Sequence, residues 1–389
     1  MQNFWQSRVN HYIALHARPL AYDETHQTFF GAKGVWHVHS HALCTAVMGD
    51  YKSFSNAYMP KVEGNPLANS INQMDPPRHR FLRKILSQSL TLARVEEMTP
   101  WIHTIAHQLL DAVNPHEGFD YVKDFAGPFP SVVINHLLGI GYENSQQVSS
   151  WVDTILAPPD GEDIQAIMMV KQQVMGQMMQ FFQELITARK SAPANDLLSA
   201  LLQQDDDGIK LTEEEVFGTA MALIMAGNST TSGLMANSVQ YLLSRPDLQE
   251  KIRQKNDLDN ILDELLRYCC PIQSHYRKAN MNVQLAGETI KKGDILKVWI
   301  GAANFDPAVF SDPEQFNTDR PNINKQISFG HGIHYCIGEA LGRVEANTAL
   351  HALFSRFPDL RLASEGPIVM NDDSLVLFPS SLPIVAGTR

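Results

Sequence analysis

Cysteine, positive charge and long apolar runs are all scarce in this sequence of 389 residues. Its four cysteines are Cys44, Cys269, Cys270 and Cys336; two are adjacent, and no CxxC pair is present. That removes the usual zinc and dithiol-redox spacings, and a disulfide framework is not expected in a chain of this size. A lone cysteine is most often a small buried hydrophobe, and Cys44 and Cys269 take that reading. Lys and Arg number 31 against 42 Asp and Glu, a formal net charge of −11. Phosphate binding needs clustered cations, so nucleic acid is not expected as the main partner. The best apolar run, Val216 to Ala226, is well short of the about 18 residues that cross a bilayer. The opening MQNFWQSRVNHY has neither the basic start nor the apolar core of a signal peptide. A cytoplasmic protein without a membrane partner is expected.

What is present is mostly helical pattern. Apolar positions recur at helical spacing over residues 96–113, 145–157, 163–190, 212–243, 246–254 and 257–268. Thr212 followed by three glutamates marks a capped start for the longest of these, and Pro246-Asp247 opens the next. Strand-like alternation appears at Gly31 to His39, Val283 to Ile290 and Ile295 to Ile300, with Gly287 and Gly293 as turns, and a further short pair is expected within 367–386. No βαβ alternation, fixed-period repeat or low-complexity linker occurs. The expected fold class is mainly α (α+β): a helical body with small peripheral sheets built from distant segments.

Residues 302–335 are long, poorly periodic and rich in Asn, Asp, Pro and Gly, and so long an irregular stretch in a compact domain is usually functional. It runs into Phe329-Gly330-His331-Gly332-Ile333-His334-Tyr335-Cys336-Ile337-Gly338, followed by the helical EALGRVEANTALHALFSRF. Its glycines permit positive φ and close backbone approach. A cysteine just before a helix meets unpaired N–H groups and the positive end of the dipole, which favour a thiolate, the form that ligates metal. On these residues alone Cys336 is either a structural turn or a reactive thiol.

The whole decapeptide resembles the cysteine loop of the cytochrome P450 family, specifically its soluble bacterial members, and the resemblance covers nearly the whole chain. Glu264-Leu265-Leu266-Arg267 is similar to the family's ExxR pair, and Phe316 to Arg320 to the segment that supplies a second arginine to that glutamate. Alone, such a pair is more often a solvated contact of a few tenths of a kcal/mol. Ala302-Ala303-Asn304-Phe305-Asp306-Pro307 resembles the AANRDP segment, with Phe305 in place of arginine. Asp75 to Arg83 resembles DPPxHxxxR, in which His79 and Arg83, four apart, share a helix face. Arg78 and Arg80 there read as a solvated basic helix start.

The resemblance implies a single P450 domain over 1–389, β-rich at about 20–60, 272–300 and 365–389, with a helical body at about 75–270 and 337–357. It implies haem b with Cys336 as the proximal iron ligand, His79, Arg83, Arg277 and His334 on the propionates, and Phe329, Gly330 and Gly338 forming the cofactor loop. Ala226-Gly227-Asn228-Ser229-Thr230 resembles the oxygen-side pattern AGx(D/E)T. Small Ala226 and Gly227 are expected to let backbone pass over a flat ligand, at a local helix break that holds oxygen and water. Thr230 takes the threonine position, and Ser229 stands where the acid is usual; a serine cannot act as a carboxylate relay. The implied activity is a monooxygenase of secondary metabolism oxidising a mainly apolar small molecule, with electrons from a separate ferredoxin or flavodoxin-type donor and its reductase. Ser229 motivates the alternative of a peroxide-driven or non-hydroxylating haem-thiolate enzyme, and a haem sensor or carrier is the alternative of another class. By the same resemblance the pocket is lined by Ser55 to Gln73, 154–175, Leu223 to Gly227, Ile272 to Tyr276 and Val376 to Phe378. The stripe of Met168, Met169, Met175, Met178, Met179, Phe181 and Phe182 reads first as core and second as an adaptable lid.

Overall fold

Apolar side chains at three- and four-residue intervals leave each helix a stripe that a neighbour must cover, and between Arg78 and Tyr268 the chain meets that need with helix on helix. The computed structural model describes residues 2–61, 66–156, 164–203, 210–256, 258–364, 366, 368–371 and 375–387. Its α-helices are α1 (Gln2–Leu15), α2 (His41–Gly49), α3 (Arg78–Ser89), α4 (Leu92–Asp111), α5 (Pro128–Leu137), α6 (Tyr142–Leu156), α7 (Ile164–Ser191), α8 (Leu197–Gln203), α9 (Glu213–Leu242), α10 (Pro246–Arg253), α11 (Leu258–Tyr268), α12 (Ile300–Ala303) and α13 (Glu339–Arg356). The fold is mainly α with small sheets.

Local chemistry sets the ends. At the start of α9 the Thr212 hydroxyl accepts from the Glu215 N–H and the Glu215 carboxylate accepts from the Thr212 N–H, a complete capping box. The Thr91 hydroxyl caps α4 by accepting from the Arg94 N–H, which starts that helix a turn earlier than its apolar spacing indicates. The spacing does not indicate α1 or α2 at all. α1 buries Trp5, Val9 and Tyr12 along one stripe, but the residues between are too polar to stand out. α2 is revealed by its Ser40 cap and by the sheet it covers.

The strands come from distant parts of the chain: β1 (Leu20–Gln27), β2 (Lys33–Val38), β3 (Phe54–Ser55), β4 (Phe119–Asp120), β5 (His275–Ala279), β6 (Val283–Leu285), β7 (Glu288–Ile290), β8 (Ile295–Val298), β9 (Leu360–Leu362) and β10 (Pro383–Ala386). The larger sheet has the order β1-β2-β8-β5-β3, with β2 and β8 parallel and Val35 opposite Ile295. β6 and β7 form the expected hairpin, turning at Ala286 and Gly287, both with positive φ. The C-terminal pair expected within 367–386 is corrected. β10 pairs instead with β9 and β4, and inside that stretch the described residues make an isolated bridge between Met370 and Pro379. β10 is a strand only because β4 and β9 offer it free edges.

The irregular stretch is held from beneath by Glu264 and Arg267, both fully buried on α11. Arg267 donates to both oxygens of Glu264, at 2.9 and 2.7 Å, and to the carbonyls of Asn304 and Pro313. Glu264 also accepts from the Arg320 guanidinium at 3.4 Å and from the Asn317 N–H at 2.9 Å. Both charges are thus hydrogen-bonded, the condition under which burying them is tolerated. Phe305, where arginine is usual, lays its ring 5.0 Å from the Arg267 guanidinium and stacks on Tyr12.

Candidate active site

Cys336 stands three residues before α13, in a loop that closes on itself. The Cys336 N–H donates to the Phe329 carbonyl at 2.8 Å, Gly330 N–H to Ile327, and Tyr335 N–H to Gly332. Gly330 and Gly332 both lie at positive φ, and a Cβ on Gly332 would meet the Met48 carbonyl of α2 at 2.5 Å, so only glycine fits there. Gly338 caps α13 and opens onto free space, with its N–H on the Cys336 sulfur. Cys336 is open to an interior cavity, while Cys44, Cys269 and Cys270 are buried and free. Burial raises the Cys336 thiol above its usual value, outweighing the Gly338 N–H and the nearby Arg83. A bound cation would displace that proton.

The cavity, of about 1640 Å³, lies between this loop and α9, and Ala226, Gly227, Ser229 and Thr230 line it together with Cys336. The expected break in α9 is not present. The helix is continuous from Glu213 to Leu242, with the Ser229 hydroxyl donating to the Met225 carbonyl at 2.9 Å and the Thr230 hydroxyl to the Ala226 carbonyl at 2.6 Å. Each hydroxyl is satisfied one turn back, so the helix does not need to open. Gly227 is small for a second reason: a Cβ there would press on Ile134 of α5 at 3.1 Å.

At the cavity edge, α3 brings His79 and Arg83, β5 brings Arg277 and the cysteine loop brings His334. The His79 and His334 rings are 4.3 Å apart, and neither nitrogen of His79 nor Nε2 of His334 has a hydrogen-bond partner. Burial, then the Arg83 charge, pushes His79 down to about 4. Burial, then His79, Arg277 and Arg83, pushes His334 down to about 2. Buried Arg277 falls to about 10 by desolvation, and Arg83 donates to the Tyr335 carbonyl. Orphaned buried donors around crowded positive charge are what an anion must enter to satisfy, and the two propionates of a haem fit them. His275, two residues before Arg277 and on the same strand face, also lines the cavity and is pushed down to about 4 by burial. It falls inside the expected wall at Ile272 to Tyr276, although no motif marks it as an ionisable lining residue.

Three further expectations need correction. Arg78 is not solvated: it donates to the Glu215 carboxylate and the Lys210 carbonyl, tying α3 to the start of α9, whereas Arg80 is exposed as expected. The methionine stripe is divided. Met178 and Phe182 are core, while Met168, Met169 and Met179 are exposed. The expected wall at 154–175 reaches the cavity through Thr154 and not through the described part of α7, and residues 157–163 and 62–65 of the expected walls lie outside the described residues. Each of the other expected walls does reach it, the first through Asn56, Tyr58, Met59, Leu67 and 70–73, and the rest through Leu223, 225–227, Ile272, 274–276, Val376 and Phe378.

Asp23, His26 and His37 also place possible ligand atoms close together. There the Trp299 indole N–H donates to His37 Nδ1 at 2.9 Å, which leaves the proton on Nε2 and no lone pair for an ion.

Compared with known proteins, residues 5–385 match the family model described as Cytochrome P450. The chain is 35% identical to the cytochrome P450 monooxygenase PikC of Streptomyces venezuelae over 360 residues, 90% of this chain and 85% of that one. It superposes on the substrate-free crystal structure of CYP109E1 from Bacillus megaterium with a TM-score of 0.91 at 29% identity, covering 99% and 100% of the two chains. The same protein in complex with testosterone gives 0.88. P450BioI, solved with a hexadecenoic-acid-ligated acyl carrier protein, gives 0.87 at 31% identity over 99% and 100%.

Proposed function

This chain belongs to the cytochrome P450 family and is a P450 monooxygenase binding haem b, and from that footing we propose that it oxidises a mainly apolar small molecule at the cavity between Cys336 and Thr230. Haem, when bound, supplies the reductive activation of dioxygen. Cys336 is the side chain that holds the iron, as a thiolate supported by the Gly338 N–H and the start of α13. His79, Arg83, Arg277 and His334 hold the propionates, with Phe329, Gly330 and Gly338 shaping the loop around the cysteine. Thr230 and Ser229 present hydroxyls to the oxygen side, and Ala226 and Gly227 keep that face of α9 low.

The observation that carries this reading is the convergence on one cavity of a metal-competent thiol, a rim in which Arg83 and Arg277 flank the unpartnered imidazoles of His79 and His334, and the hydroxyl-bearing turn of α9. A mainly apolar substrate is supported by Ile71, Leu223, Ile272 and Phe378 in the walls, and by the testosterone bound by CYP109E1 and the acyl chain presented to P450BioI. Electrons come from a separate ferredoxin or flavodoxin-type donor with its reductase. The cytoplasm suits three free, buried cysteines, and no described helix is long and apolar enough to cross a membrane.

Ser229 at the acid position favours one second reading, a peroxide-driven or non-hydroxylating haem-thiolate enzyme. Turnover with a redox partner and reductant, set beside turnover on hydrogen peroxide alone, tests the choice. Product under reductant supports the monooxygenase; product under peroxide only replaces it with the second reading.

A further inference from the structure

One wall of the cavity is polar from end to end. α6 turns Gln146, Ser149, Ser150, Asp153 and Thr154 onto it, positions three and four apart that make one face of the helix. The Ser149 hydroxyl donates to the Ser145 carbonyl and the Thr154 hydroxyl to the Ser150 carbonyl, both at 2.8 Å. Their protons are thus spent inside the helix, and what these two side chains offer the cavity is lone pairs. An ionised Asp153 offers only lone pairs as well.

Asp153 has no partner for them. Among the described residues no cation or hydrogen-bond donor engages its carboxylate, and burial alone raises its carboxyl above the ordinary value. The sequence supplies no Lys, Arg or His from 137 to 170, and Lys171 donates to the Ile155 carbonyl at 3.1 Å. Lys123, also on the cavity, lies 3.7 Å from Asp120, while Arg83 and Arg277 take the haem side. The second carboxylate that α6 brings to the cavity, Glu143, accepts from Asn144 at 3.5 Å. A carboxylate partly withdrawn from water and left unpaired is costly, and a cation entering the cavity offsets that cost.

We propose that the substrate is an apolar body carrying a basic amine, whose ammonium N–H groups are received by Asp153 and by the Ser149 and Thr154 oxygens of the α6 wall. Its apolar carbon then fills the part of the cavity lined by Leu223, Ile272 and Phe378. The inference rests on the monooxygenase reading of the cavity, and it makes Asp153 a residue of specificity that holds the substrate at a distance from the reacting carbon.

The test is the binding of straight-chain probes to the haem-loaded protein: decylamine, an ammonium at neutral pH, beside decanol and decanoate. A thiolate-type carbon monoxide spectrum in the parent is recorded first. Its absence would sink the monooxygenase reading, whereas the charge preference is read by calorimetry whatever holds the iron. The parent should bind decylamine more tightly than decanol by about tenfold or more, the scale of a hydrogen bond to a charged group. Its Soret band should move as for a carbon chain near the iron, and not in the opposite sense, as for a nitrogen bound to it. Asp153→Asn should cancel the preference for decylamine and hardly change the affinity for decanol, and Asp153→Lys should transfer the preference to decanoate. An unchanged preference in D153N, an equal loss of both probes, or a nitrogen-bound Soret shift in the parent overturns the proposal. Should both variants fail to load haem, the parent decides alone: a preference for decylamine that fades with added salt supports the proposal, and equal binding of decylamine and decanol overturns it.

Discussion

The imidazoles of His79 and His334 lie 4.3 Å apart, centre to centre, with the inward nitrogens of both left without partners. Two rings from distant parts of the chain meet here beside Arg83 and Arg277, where an anion such as a haem propionate would give their orphaned nitrogens a partner. His79→Ala should therefore weaken haem retention. A hydrogen bond to a charged group is worth about 1.5–3 kcal/mol, so haem loss to a scavenger protein should speed up about 10- to 100-fold.

The same geometry sets a pH dependence for the haem-free protein. His79 has a folded pKa of about 4, below its unfolded value of about 6.5. Between those values the unfolded chain binds more protons, so stability contributed by neutral His79 is present above pH about 6.5 and is lost as pH falls toward 4. Denaturation midpoints measured across that window should fall less steeply in His79→Gln. An unaltered slope would show that His79 is not held neutral in the folded state.

Cys336→Ala should abolish the red-shifted Soret band of the ferrous carbon monoxide complex that marks a thiolate ligand. Before haem is added, the raised thiol pKa should make Cys336 alkylate more slowly near pH 8 than a free cysteine in solution. Fast alkylation would mean the loop already holds a thiolate.

Glu264→Ala or Arg267→Ala each strands a fully buried charge, at a cost of about 3–5 kcal/mol against a total stability of about 5–15 kcal/mol. Low yield and a depressed melting temperature are expected in both. Phe305→Arg, although it restores the residue usual in the family, should also destabilise. It would place a second guanidinium against Arg267 in a site only 1% exposed. A normal melting temperature in Phe305→Arg would show that the pocket around Arg267 rearranges freely.

Ser229→Asp should improve the coupling of electron use to product, and Thr230→Ala should worsen it. The gain should fall within the about 10²–10⁴ typical of general acid catalysis, because a carboxyl would replace a hydroxyl that cannot relay a proton near neutral pH. A variant that binds haem and substrate normally yet loses product would show that the site is built around a neutral residue at 229.

Much of the site was legible because its chemistry is local in sequence. The glycine spacing around Cys336, the Glu264–Arg267 pair one helical turn apart and the His79–Arg83 pair on one helix face are relations between near neighbours, which a linear pattern preserves. The capped start of α9 and the proline that opens α10 were legible for the same reason. What only the tertiary structure decided depends on contacts between distant segments. β10 takes its partners from β4 and β9, Arg78 finds Glu215 rather than solvent, and Ile134 of α5 closes on α9 so that a Cβ at Gly227 would crowd it. Glu345 is the clearest case. In the sequence it is one polar residue in a helical run; desolvation, which depends on everything packed around it, raises its carboxyl well above the ordinary value where it lines the cavity.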